Sequence, residues 1–256
     1  MLAEPLVSTA ALLGFLLTLA RIAGVFVFVP LPGLKNTFEL PRIMLALAVT
    51  LSLHSQWPRI APETSPALLV LWVMADAALG IGIGLAVGFA SEALATGGQI
   101  MGLQAGYAYA STVDPSTQAD SGILVVFSQL AAGLLFFALG LDREVLRVFA
   151  RSLETCPPGT FTLTRPAAEQ ILSLGETMFS TGLRLALPMV ALLIMVDISL
   201  ALLGRVNSQL QLLTVAFPIK MMVGLTLLGW LTLLFPVLFR AVSHRALGAA
   251  GYLVSR

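Results

Sequence analysis

Apolar residues gather in six stretches, at residues 6–29, 40–57, 66–89, 123–141, 182–203 and 216–239. None alternates with period two, so none reads as a half-buried strand. At a rise of 1.5 Å per residue, about 20 residues cross a hydrocarbon core, so the pattern predicts six membrane helices, with residues 40–57 at the short limit. Pro30-Leu31-Pro32-Gly33 ends the first stretch, and Pro41 falls in the first turn of the second, where its missing N–H costs little. Trp57-Pro58 and the run from Pro62 to Pro66 end the second. Between the apolar stretches, residues 142–151 predict a short charged helix closed by Cys156-Pro157-Pro158-Gly159. Residues 167–180, with Ile171, Leu172, Met178 and Phe179 apolar, predict an amphipathic helix that lies on an interface or packs on a partner.

One segment breaks the pattern. Residues 89–121 are too polar for lipid, yet they join two long apolar stretches, and they contain Gly97, Gly98, Gly102 and Gly106 but no Lys or Arg. Irregular backbone at membrane depth must be buried in protein or line an aqueous cavity, so an irregular 89–121 predicts a passage rather than an anchor. A second glycine pattern, Gly80, Gly84 and Gly88, repeats every four residues and lays a smooth stripe on one helix face, where another backbone can approach closely.

Composition confirms the solvent. The 256 residues are 58% hydrophobic and 11% charged, with a mean hydropathy of +0.95, which leaves too little polar surface to cover a soluble globule. A net charge of +1 gives no basic field for nucleic acid. The single cysteine, Cys156, excludes an internal disulfide and any cysteine-based metal cluster. Across six spans, Arg59, Arg143, Arg147, Arg151, Arg165, Arg240, Arg245 and Arg256 fall on the side of both termini, against Lys35, Arg42, Arg205 and Lys220. The termini are therefore expected in the cytoplasm. The first stretch has no basic leader or small-residue cleavage site and is expected to be retained.

Arg21, Asp76, Arg184 and Asp197 sit inside apolar stretches, where an unpaired charge costs several kcal/mol. They are expected to be buried, each with a partner or water. Their mixed signs suit structural pairs within an assembly better than a proton relay, because no carboxylate pair or histidine cluster accompanies them. The histidines are His54, at a stretch end, and His244, in the basic tail, so no nucleophile–base pair is in view. Metalloprotease, hydrolase-elbow and P-loop motifs are missing from the sequence, and Gly80-x-Gly82-x-Gly84 lacks the strand and acidic partner of a dinucleotide site. No catalytic residue, metal site or cofactor is expected.

Four segments in order carry a family resemblance. Arg21-Ile22-Ala23-Gly24 leads to Pro30-Leu31-Pro32-Gly33 and Pro41-Arg42; Gly97-Gly98-Gln99-Ile100-Met101-Gly102-Leu103-Gln104-Ala105-Gly106 leads to Val113-Asp114-Pro115. Ala186-Leu187-Pro188 with Asp197 comes next, then Gly204-Arg205, Gln209-Leu210 and Phe217-Pro218-Ile219-Lys220. The chain resembles the FliR/SctT family of type III secretion export gates, with Asp76 and Ser208 where that family commonly carries Glu and Pro. The resemblance implies an all-α integral membrane protein with about six apolar helices in hairpins, part of a helical multi-subunit channel. It also implies FliP-like, FliQ-like and FlhB-type partners, unfolded protein substrates, and a place in the bacterial inner membrane, in the flagellar basal body. Gly106, Tyr107, Ala108, Tyr109, Ala110, Ser111, Thr112, Val113, Asp114 and Pro115 match the family's plug, a loop that closes the resting channel. One membrane domain over residues 1–256 is expected, with residues 1–121 supplying the first helices and plug-like segment and 122–256 the remaining helices and basic tail. The competing reading is an independent small-solute or ion-coupled transporter with Asp76 and Asp197 as coupling groups.

Overall fold

The computed structural model describes residues 8–30, 40–58, 60, 64–107, 122–157, 159–161, 164–206 and 212–254. Within them the chain is helical, and no strand occurs among the described residues. Helix α1 covers Thr9–Phe28, α2 Leu40–Ser52, α3 Pro66–Ala105, α4 Ile123–Ala138, α5 Leu141–Thr155, α6 Arg165–Val206, α7 Leu212–Leu231 and α8 Phe235–Val254. Among the described residues, four helical stretches are long and apolar enough to cross a membrane, or five if the bent pair α4–α5 counts as one span.

Local chemistry sets the boundaries. The Ser8 hydroxyl accepts from the Ala11 N–H at 3.2 Å and caps α1; Ser65 and Pro66 start α3 in the same way, with the Leu68 N–H 3.4 Å from the Ser65 hydroxyl. The marginal second stretch yields only 13 helical residues and then a 3₁₀ turn at His54–Gln56, where the Trp57 indole donates to the Thr50 carbonyl at 3.0 Å. Gly140, at φ 70°, turns the chain by 66° between α4 and α5. Pro236 has no N–H to donate four residues back, and the sixth apolar stretch is broken there by a 3₁₀ turn at Thr232–Leu234.

Two expectations are corrected. Residues 89–105 are not irregular: they continue α3 without interruption, and Ala90, Ala93, Leu94, Ala95, Met101 and Ala105 are buried. The alanines and glycines of this stretch lower the hydropathy but let other helices pack closely on a regular helix. The amphipathic residues 167–180 likewise form no separate helix but run straight into the fifth apolar stretch as α6. Helices α3 and α6, with 40 and 42 residues, are each about 60 Å long, roughly twice the hydrocarbon thickness, so neither fits as a plain flat span.

The chain forms two compact units. The first comprises Met1–Phe89, Phe136–Gly175 and Ser243–Arg256; Leu17, Ile22, Leu79, Ile83 and Phe136 are among its fully buried side chains. The second comprises Ala90–Leu135 and Glu176–Val242, with Leu94, Met101, Leu124, Met189 and Leu193 among its own.

Candidate functional site

In the first unit, α1 and α3 pack backbone on backbone. A β-carbon at Gly24 would lie 2.7 Å from the Ala77 carbonyl oxygen; at Gly84 it would lie 2.5 Å from that of Val25, and at Gly88 2.9 Å from that of Phe28. At Gly80 it would overlap the Arg21 carbonyl. The four-residue stripe is thus filled by the chain's own first helix.

That close approach brings Arg21 to Asp76, both wholly buried. The guanidinium reaches Asp76 Oδ1 through Nε at 3.0 Å and through Nη2, while Nη1 donates to the Ser152 and Cys156 carbonyls at 2.8 and 2.9 Å. These are last-turn and cap carbonyls of α5; Ser152 also accepts the Cys156 N–H at 3.1 Å, and the positive charge sits at the negative end of the helix dipole. Asp76 Oδ2 in turn accepts from the Gly159 N–H at 3.0 Å. Gly159 holds φ 90°, and a β-carbon there would meet the Trp72 ring at 3.0 Å. One buried ion pair therefore fixes α1, α3, the end of α5 and the turn after it.

A second polar junction lies in the other unit, at the end of α3. Gly97 and Gly98 face different neighbours: β-carbons there would meet the Gly182 carbonyl of α6 at 3.2 Å and the Leu124 carbonyl of α4 at 2.8 Å. The helix then closes on Gly106 at φ 84°, with the Gly106 N–H bonded to the Leu103 carbonyl at 3.2 Å and the Tyr107 N–H to that of Gly102 at 3.1 Å. That pair of bonds is a Schellman motif. A β-carbon on Gly106 would press on the Phe217 ring at 3.0 Å, and the Tyr107 hydroxyl donates to the Met221 carbonyl at 3.1 Å. Burial pushes the Tyr107 phenol above its ordinary pKa, away from the neutral range in which a phenol is protonated in any case. One turn back, Gln104 donates to Asp197 Oδ2 at 3.1 Å, and Lys220 contacts both oxygens of Asp197 at 2.9 and 3.0 Å.

Residues 12–246 match the profile of the family described as bacterial export proteins, family 1. The chain belongs to that family. It is 28% identical over 214 residues to the flagellar biosynthetic protein FliR of Escherichia coli (strain K12), covering 82% of this chain and 81% of that one. FliR of Pectobacterium carotovorum subsp. carotovorum is 31% identical over 198 residues, 76% of each chain. The surface presentation of antigens protein SpaR of Salmonella typhimurium is 26% identical over 249 residues, 96% of this chain and 90% of that one. Family membership makes the protein a membrane component of a type III export apparatus, of the FliR/SctT kind.

The export-family motifs thereby acquire places. Arg21 and Gly24 of the opening motif make the buried pair and the helix crossing. Gln104 and Gly106, Asp197, and Phe217 and Lys220, from three separate motifs, meet at the end of α3. Of the four charges expected to be buried, Arg21 and Asp76 are; Asp197 is 43% exposed, and Arg184 is exposed among the described residues. In the plug-like segment, Gly106 and Tyr107 are described and residues 108–115 lie outside the described residues. Sequence reading missed the Ser152 and Cys156 carbonyls and the Gly159 N–H, since main-chain groups carry no residue signature. The left-handed glycine after Pro157-Pro158 was the one available cue.

Proposed function

We propose that this protein is a structural and gating subunit of the type III export gate, helping to form and close the inner-membrane channel through which unfolded proteins leave the cytoplasm. On this reading it assembles with FliP-like, FliQ-like and FlhB-type subunits in the flagellar basal body, with both termini cytoplasmic, and residues 106–115 close the resting channel. The observation that carries the reading is the anchored exit of α3. Its last turn is capped at Gly106, pressed on Phe217 and bonded through Tyr107 to α7, a fixed root for a glycine-led segment free of Lys and Arg.

The carrier alternative asks Asp76 and Asp197 to bind a coupling ion. Both oxygens of Asp76 are already taken, by Arg21 and by the Gly159 N–H, and Asp197 is held by Lys220 and Gln104. A coupling ion would have to displace these bonds. Purification from its own membranes separates the two readings. The export reading expects several other small membrane proteins in fixed ratio with this chain and no solute uptake by the chain alone; uptake by the reconstituted single chain would contradict it.

A further inference from the structure

The two arginines of the opening motif meet opposite conditions. Arg21 is wholly buried and holds Asp76 and two carbonyls. Arg42, in the first turn of α2, donates from Nη1 to the Val27 carbonyl at 3.2 Å, while its Nε is shielded from water and has no acceptor. No carboxylate among the described residues pairs with it. A shielded donor without an acceptor is costly, more so on a cation, so this guanidinium is suited to an anionic acceptor.

The position of Arg42 sets which anion is at hand. Val27 is one residue from the end of α1, and α1, with 20 residues, is long and apolar enough to cross a membrane. Its rise is about 30 Å, the thickness of the hydrocarbon core, so a spanning α1 ends where the lipid phosphates begin. The Val27 carbonyl holds Arg42 at that level. Beside the guanidinium lies a cavity of about 200 Å³ between α1 and α2, walled by Ala23, Phe26, Val27, Ile43 and Ala46 along with Arg42 itself. Val27 and Ile43 are 53% and 51% exposed, so the cavity opens outward between apolar side chains. A cation beside an apolar groove is an arrangement that a phospholipid matches with both headgroup and chain. Phe26 also borders a second cavity, of about 180 Å³, but that one is walled by apolar side chains and Asp142, whose charge would repel a phosphate.

We propose that Arg42 and the groove between α1 and α2 form a binding site for an anionic phospholipid of the bilayer, with the phosphodiester on the guanidinium and one acyl chain along Ala23, Phe26 and Ile43. A lone protein carboxylate would meet the guanidinium and leave the groove uncovered, whereas one lipid molecule covers both. Because no described carboxylate balances Arg42, the site favours a headgroup of net negative charge, such as phosphatidylglycerol, over one whose own ammonium already balances its phosphate. Bound there, the lipid covers the seam of the α1–α2 hairpin and sets the depth of the first unit in the membrane. The site depends on α1 spanning the bilayer and is independent of the closing role of residues 106–115.

The test takes the protein as purified from its own membranes, with the subunits that accompany it, into vesicles of phosphatidylethanolamine. These carry a small share of phosphatidylglycerol with a photoreactive group in one acyl chain, and adducts are mapped by peptide mass spectrometry. Adducts are expected on residues 23–27 and 43–46, and fewer from phosphatidylethanolamine bearing the same photoreactive chain. Arg42→Met removes the charge and is expected to lower the adducts about tenfold, as loss of a charge-assisted hydrogen bond predicts, and Arg42→Lys to recover part of them. Ile43→Trp fills the mouth of the groove from a half-exposed position, leaves Arg42 in place and is expected to lower the adducts as far; it decides the question if Arg42→Met fails to fold. Equal adducts from the two lipids, unchanged in the variants, would mean unselective lipid contact and overturn the site. An absence of adducts on the groove overturns it as well, and if Arg42→Met also sheds an accompanying subunit, the guanidinium belongs to a protein carboxylate instead.

Discussion

Replacing Arg21 with Met is the most demanding perturbation of the buried junction, and its cost follows from the bonds counted there. Among the described residues, the change removes the one cation on Asp76 and leaves a fully buried carboxylate with the Gly159 N–H as its donor. It also takes the guanidinium from the Cys156 carbonyl and from the Ser152 carbonyl, which keeps the Cys156 N–H at 3.1 Å. Breaking a buried pair by removing one partner costs about 3–5 kcal/mol, and the Cys156 carbonyl left without its donor adds about 1–3 kcal/mol before relaxation. Rearrangement and water entry return part of this, so about 4 kcal/mol is the working figure, a large fraction of a typical domain's stability. Cys156 offers a built-in reporter: it is the chain's single cysteine, 5% exposed, and sits beside the junction. Where opening precedes modification, about 4 kcal/mol corresponds to roughly a thousandfold faster maleimide labelling of Cys156 in detergent. The double change Arg21→Met with Asp76→Leu should label more slowly than Arg21→Met alone, since no buried charge remains. Labelling of Arg21→Met within threefold of the wild type would refute the reasoning, because the pair would then not be holding α5 in place.

Gly84→Leu should sharply lower the yield of folded chain, and with it of assembled complex on native electrophoresis, because α1 must leave α3 to admit the side chain; unchanged complex at normal expression would remove the glycine stripe from the account. Gly159→Ala combines a positive φ with a Trp72 contact at 3.0 Å and should destabilise the first unit by about 1–3 kcal/mol, read as faster Cys156 labelling, whereas wild-type labelling would show that Asp76 needs no fixed donor there.

The apolar stretches made the all-helical class and most helix positions legible, because long lipid-compatible runs have few other solutions. Continuity was not legible. Phe89–Ala105 reads as polar by hydropathy, yet Gly97 and Gly98 serve two helix crossings at once, and sequence does not distinguish a glycine that loosens a backbone from one that admits a neighbour. Residues 167–180 and 182–203 read as separate elements because the pattern changes between them while the helix does not. The charges in apolar stretches announced that they needed partners. Their pairing required the fold, since Arg21 and Asp76 are 55 residues apart and two of Arg21's acceptors are main-chain carbonyls.

The central claim, that residues 106–115 close a protein-conducting channel, is tested most directly by conductance of the assembled complex with residues 107–112 deleted. Reconstituted in planar bilayers at matched complex content, the deletion is predicted to pass ions and small solutes that the wild type holds back, because a pore that has lost its closing segment can hydrate. An assembled deletion complex that conducts no more than the wild type would contradict the account.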